Sequence, residues 1–171
     1  MILTSKQEIL VDTLRILKLE PTVNRLTFLF AWNAAEGGKA LNNPINTTLK
    51  IKADPKATDF NKAKVKNYTT SQAGAMATAA TLSLKYYKPI LDNLRADNNP
   101  SDWVNKPDVR QALKTWGTTN NVIAAKISDS KFRAMIEAGF TKLKNNSGLV
   151  VIGLILLTFT VLFLTFNNKT A

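Results

Sequence analysis

The sequence predicts an α+β fold: a mostly helical domain with a small β lobe, followed by a C-terminal transmembrane helix. Three observations predict it. From Ser5 to Ile127, apolar residues recur at helical spacing in short segments punctuated by Pro or Gly. After Gly38 a polar, basic stretch holds the β-branched run Thr47-Thr48-Leu49-Lys50-Ile51, which reads as a short strand. Gly148 to Phe166 carries no charge, is dominated by Leu, Ile, Val and Phe, and approaches the length that crosses a bilayer core. The chain therefore divides into a globular domain over 1–127, an amphipathic juxtamembrane segment over 128–147, a transmembrane helix over 148–166 and a tail over 167–171.

Taken in order, Ser5 and Glu8 have the spacing of a capping box, and the helix they open puts Ile9, Leu10, Leu14 and Leu17 on one face. Pro21-Thr22 then opens a second helix. Its run Leu26-Thr27-Phe28-Leu29-Phe30-Ala31-Trp32 has too few polar positions for a surface helix, so it is expected in the core, stopped by Gly37-Gly38. Asn43-Pro44 reads as a turn. The stretch from Lys56 to Lys66 has no helical periodicity and reads as an ordered loop held by Phe60 and Tyr68. Thr70 or Ser71 caps the next helix, in which Ala73, Ala77 and Ala80 with Met76 and Leu84 favour close helix packing. Lys88-Pro89 starts a helix with Ile90, Leu91 and Leu94 inward; Pro107 starts another that Gly117 stops, and Val122 to Ile127 suggests one more. Beyond Ser128, Phe132, Met135, Ile136, Phe140 and Leu143 share a helical face flanked by Lys131, Arg133, Lys142 and Lys144, a pattern that suits a membrane surface.

Composition excludes much of the usual chemistry. With no Cys and no His in 171 residues there is no thiol nucleophile, no Ser-His-Asp triad and no ordinary zinc site, so no metal or other cofactor is expected. Any catalysis must come from carboxylates, hydroxyls, amides or lysines. The net charge of +11 implies an anionic partner, and nucleic acid, lipid headgroups and anionic wall polymers all satisfy it. The loop lysines read as a solvated face rather than a nucleic-acid stripe, because only Phe60 and Tyr68 interleave with them. Lys142 and Lys144 against Lys169 place the basic domain on the cytoplasmic side of a membrane, or on its equivalent inside an enveloped particle.

The carboxylate that stands out is Glu36. It ends the core helix, beside the helix's negative pole and near Trp32, conditions that suit a proton-donating acid; the plainer reading is a solvated Glu before a glycine stop. Around it lie ordered blocks: Trp32-Asn33-Ala34-Ala35-Glu36-Gly37-Gly38, then Asn43-Pro44-Ile45-Asn46-Thr47-Thr48, then Val65-Lys66-Asn67-Tyr68, then an Ala-rich helix leading into Tyr87-Lys88-Pro89-Ile90-Leu91. Together they resemble the phage and bacterial lysozyme-like hydrolases of peptidoglycan, related to the lytic transglycosylases, over roughly half the chain, from Phe28 to Trp116-Gly117-Thr118.

That resemblance implies a lysozyme-like domain with Glu36 as catalytic acid and Asn46, Thr47 and Thr48 lining a glycan cleft. It also points to Tyr68 and Tyr87 as substrate-side aromatics, although Tyr68 serves equally as a lobe-packing residue. Asp54 and Asp59 are the candidates for a second carboxylate, as a hydrolytic muramidase uses; a transglycosylase does without one. No Gly-Leu-Met-Gln segment of the transglycosylases is present. The expected function is a membrane-anchored peptidoglycan-cleaving enzyme of a phage whose virion contains a membrane. Its partners would be glycan strands, the lipid around 148–166 and capsid proteins. A second reading keeps the fold and drops the chemistry, giving a basic, membrane-anchored structural protein that links an internal viral membrane to capsid or genome. A third, a holin-like lysis protein, leaves the globular half unexplained.

Overall fold

The computed structural model describes residues 3–141. The first helix, α1 (Ser5–Ile16), starts one residue earlier in its capping logic than the sequence suggests. Thr4 is the N-cap, its hydroxyl accepting from the Gln7 amide at 3.3 Å while Gln7 Oε1 accepts from the Thr4 amide at 2.9 Å. A threonine with Gln three residues on satisfies two orphan donors as well as Ser5 with Glu8 could. Ile9, Leu10 and Leu14 are buried as their spacing requires.

The central helix, α2 (Val23–Glu36), is capped by Thr22 and closed by Gly37 in the left-handed conformation, φ 53°. Every residue from Leu26 to Trp32 is buried. Burying side chains of this size contributes about 1.5–3 kcal/mol each, which overrides any surface preference of the segment. The Arg25 guanidinium fastens the start of α2 by donating to the carbonyls of Glu20, Leu94 and Arg95.

After α2 come a long irregular segment, the strands β1 (Thr58–Asp59) and β2 (Lys66–Asn67), then α3 (Ser71–Leu82), a 3-10 turn Lys85–Tyr87 and α4 (Lys88–Arg95). A second 3-10 turn, Pro100–Asp102, precedes α5 (Pro107–Trp116) and α6 (Asn120–Ser128), and residues 130–141 are helical. α1 packs on α3, and α2 on α6 and α1. Gly74 permits the close approach of the post-α2 segment to α3, since a Cβ there would stand 1.8 Å from the Asn42 carbonyl oxygen. Ala73 and Ala77 face inward as expected, whereas Met76, Ala80 and Leu84 face solvent.

Three expectations are corrected. The α+β class gives way to a mostly helical fold: the strands are two residues each, antiparallel, pairing Thr58 with Asn67 and Asp59 with Lys66. They lie in the stretch read as a loop, while Thr47 to Ile51 is not a strand, because its backbone and hydroxyls are committed to Asn43, Thr81 and Tyr68. The transmembrane helix, and with it the single-pass anchor, the lipid contact and the internal-membrane location, is not supported: no helix among the described residues is long and apolar enough to cross a membrane. The 14 residues of α2 span about 21 Å, short of a hydrocarbon core of about 30 Å. The segment 148–166 on which the anchor was placed lies outside the described residues. Within 128–147, Ile136 is buried in the domain core with Phe132 and Phe140 packed beside it. The apolar face of that stretch is therefore partly taken up by the domain core, while Met135 on it stays exposed.

Candidate active site

Glu36 sits on the last turn of α2, half-buried, and three segments converge on its carboxylate. One helical turn back, Trp32 donates its indole N–H to Oε1 at 3.2 Å. The Thr118 hydroxyl, just past α5, donates to the same oxygen. From the irregular segment, Asn46 Nδ2 donates to Oε2 at 2.8 Å and reaches the Glu36 carbonyl at 3.4 Å. The carboxylate is thus met by a ring of donors, with Trp32 contributing its N–H as well as its ring.

The sequence builds this ring with identifiable devices. An unbroken series of aromatic contacts, Trp103 on Phe28 at 4.5 Å, Phe28 on Trp32 at 5.6 Å, Trp32 on Trp116 at 4.7 Å and Trp116 on Tyr87 at 4.8 Å, carries the rigidity of the core to the site. Trp116 then donates its indole N–H to the Ile45 carbonyl at 2.7 Å. That bond ties the segment bearing Thr118 to the one bearing Asn46. Asn46 adopts φ 59°, a left-handed conformation that Asn tolerates better than most residues. Gly38 gives it room, because a Cβ there would stand 2.7 Å from Asn46 Oδ1. The two glycines after Glu36 therefore do different jobs: Gly37 turns the helix end and Gly38 admits Asn46.

Beside the carboxylate is a pocket of about 180 Å³ lined by Ala35, Glu36, Gly117, Thr118, Thr119 and Val122. Pockets that enclose whole small ligands run to about 300–1,000 Å³, so this one suits the reacting end of a longer ligand. Among the described residues Glu36 is the one ionisable side chain in its lining.

The other expected site residues are dispersed. Thr47 is buried and spends its hydroxyl on Thr81 at 2.6 Å, whereas Thr48 is exposed. Tyr68 is fully buried and donates to the Leu49 carbonyl at 2.6 Å; burial, foremost, pushes its phenol up to about 12. Tyr87 is buried against Trp116, its phenol raised by burial and then by Tyr86. Asp54 is buried, its two oxygens accepting from the Thr69 amide at 2.7 Å and the Thr69 hydroxyl at 2.9 Å. Asp59 is exposed and paired with Lys66, whose hydrogen bond and charge hold its carboxyl below the usual range. Of the expected set, only Asn46 joins Glu36.

Two contributors escaped sequence reading. Thr118 is 82 residues from Glu36 and carries no local signal beyond its place after the Trp116-Gly117 helix stop. Trp116 packs against Trp32, and its indole N–H bond to the Ile45 carbonyl, which no local pattern announces, makes it a positioning residue as well. Among the described residues no group of His, Cys, Asp and Glu could hold a metal ion. Comparison with known protein families, curated proteins and solved structures finds no match to this chain.

Proposed function

We propose that the chain cleaves a glycan of the peptidoglycan type, with Glu36 as the single acid. The observation that carries this is the carboxylate itself: gripped by donors from three separate segments, half-open, and the sole ionisable group facing its pocket among the described residues. A surface Glu before a glycine stop needs no such grip. Glycoside cleavage asks for a positioned carboxyl group that gives its proton to the leaving oxygen while positive charge builds on the sugar. The order of the motifs from Trp32 to Tyr87, which resembles the lysozyme-like hydrolases, points to the same chemistry.

The lining of the pocket favours the single-acid route over the two-carboxylate route. Asp54 and Asp59 are both engaged elsewhere, by Thr69 and by Lys66. In the single-acid route Glu36 protonates the glycosidic oxygen and the C1–O bond breaks, while the sugar's own N-acetyl oxygen closes on C1. Glu36, now a carboxylate, takes the proton of the C6 hydroxyl as that oxygen displaces the acetamido oxygen, leaving a 1,6-anhydro sugar and restoring the acid. Asn46, Trp32 and Thr118 hold the carboxyl group in place through both transfers.

The test is product analysis with purified peptidoglycan and the full-length chain. Released fragments ending in anhydro sugars are expected, and Glu36→Gln should lower their rate by about a hundredfold or more. The amide keeps one acceptor oxygen for Trp32 and Thr118 but has no transferable proton. Reducing ends in place of anhydro ends would overturn the single-acid route, and a Glu36→Gln variant with wild-type rates would overturn the assignment altogether.

A further inference from the structure

Next to the Glu36 pocket lies a larger one, about 420 Å³, which shares Thr118 and Thr119 with it. Its far wall is a face of α5 that presents Arg110 and Lys114, one helical turn apart. We propose that this pocket is an anion subsite in which Arg110 and Lys114 take a carboxylate carried by the same glycan that Glu36 cleaves. The proposal rests on the reading of Glu36 as a glycan-cleaving acid and names the substituent that the enzyme selects.

Three observations support it. Among the described residues Arg110 is the one arginine outside an ion pair, and Lys114, like most of the lysines, is unpaired as well. The nearest carboxylate in sequence, Asp108, is occupied at the start of α5, accepting from the Val109 amide at 2.8 Å. Two like charges four residues apart also oppose helix formation, a cost that an anion between them removes.

Geometry and chemistry agree on the kind of anion. The guanidinium of Arg110 offers a planar fork suited to a carboxylate, Lys114 adds a point charge, and Gln111 on the same wall adds an amide. Because Thr118 borders both pockets and donates to Glu36, a ligand spanning them places its anionic group beside the bond at Glu36. Peptidoglycan carries its carboxylates on the lactyl-peptide substituent of alternate sugars, next to the glycosidic bonds that would be cut. A neutral amino-sugar polymer has the bond without that group.

The test compares binding of a disaccharide-tripeptide with that of the same molecule after its carboxyls are converted to amides, using the full-length chain and titration calorimetry. The carboxylated form should bind about tenfold tighter, the equivalent of roughly 1.4 kcal/mol. That preference should collapse in the Arg110→Gln/Lys114→Gln double variant and survive in Lys56→Gln/Lys62→Gln, which removes the same charge from an exposed loop. Equal binding of the two ligands by the wild type overturns the subsite without recourse to any variant, and so does a preference that outlasts the double substitution. Glycan cleavage is scored separately. No cleavage with the carboxylate preference intact would overturn the role of Glu36 and leave the anion subsite standing; cleavage without the preference would do the reverse.

Discussion

Glu36 and Asp54 are both carboxylates whose oxygens accept from neighbouring donors, and they lie in the same half of the chain. Asp54 is 2 % exposed and is satisfied by one residue, Thr69, through its amide and its hydroxyl. The effect is to staple the turn after Ile51 to the start of α3. Glu36 is half-exposed and draws its donors from three segments, 4, 10 and 82 residues away, while it opens on a pocket. A saturated carboxylate closed by one local partner is a fastener. One held by three residues at the mouth of a pocket is, on the proposed reading, a positioned reagent. Donor satisfaction alone therefore does not tell the two carboxylates apart; what differs is that Glu36 opens on a pocket and draws on three residues where Asp54 is buried on one.

The sharpest way to break this contrast is to neutralise each carboxylate in turn. Against the loss of about a hundredfold or more for Glu36→Gln, Asp54→Asn is expected to leave the glycan-release rate of folded protein within a few-fold of wild type. Equal losses from both would erase the distinction and revive a two-carboxylate mechanism. Next in size is the supporting geometry. Gly38→Ala should push Asn46 off Oε2, because the added Cβ would stand 2.7 Å from Asn46 Oδ1, and Asn46→Gly should remove the donor while retaining the left-handed backbone. A slightly misplaced catalytic group can cost up to about a hundredfold, so both should lower kcat by tenfold or more with KM little changed. Steady-state kinetics showing a KM effect alone would assign Asn46 to binding.

Asp54 should register instead in stability. Asp54→Ala leaves the Thr69 amide and hydroxyl without their partner, a loss of about 1–3 kcal/mol that urea denaturation can measure. Tyr68 stabilises the same lobe, and its phenol is raised from 10.0 to about 12 chiefly by burial. The unfolded chain therefore releases that proton first as pH rises, and the stability that Tyr68 contributes is fully present below pH 10.0 and lost progressively up to about 12. Tyr68→Phe should flatten that alkaline loss while lowering stability at neutral pH by about 1 kcal/mol for the bond to Leu49. Smallest of all is Asp59. Its carboxyl is held low by Lys66, yet it is open to water, so Asp59→Asn should leave the denaturation midpoint unchanged although the Asp59 resonance titrates below the ordinary carboxylate range.

By itself the sequence determined the local elements around the site. Thr22 and Gly37 bound α2, the unbroken apolar run Leu26 to Trp32 puts that helix in the core, and Pro107 with Gly117 bounds α5, because caps, stops and hydrophobic periodicity act within a few residues. They also left Glu36 at a helix end near an indole, which was enough to single it out. Local signals misled where tertiary contacts compete: the β-branched Thr47 to Ile51 is drawn into side-chain bonds with Asn43, Thr81 and Tyr68, and the short strands form where Lys66 can pair with Asp59. Only the tertiary structure decided which groups surround the carboxylate. Thr118 arrives because Trp116 packs edge-on against Trp32 and donates to the Ile45 carbonyl, and Asn46 fits because Gly38 has no side chain. Helix caps are written in neighbouring residues. A ring of donors drawn from three segments is written only in how their packing brings those segments together.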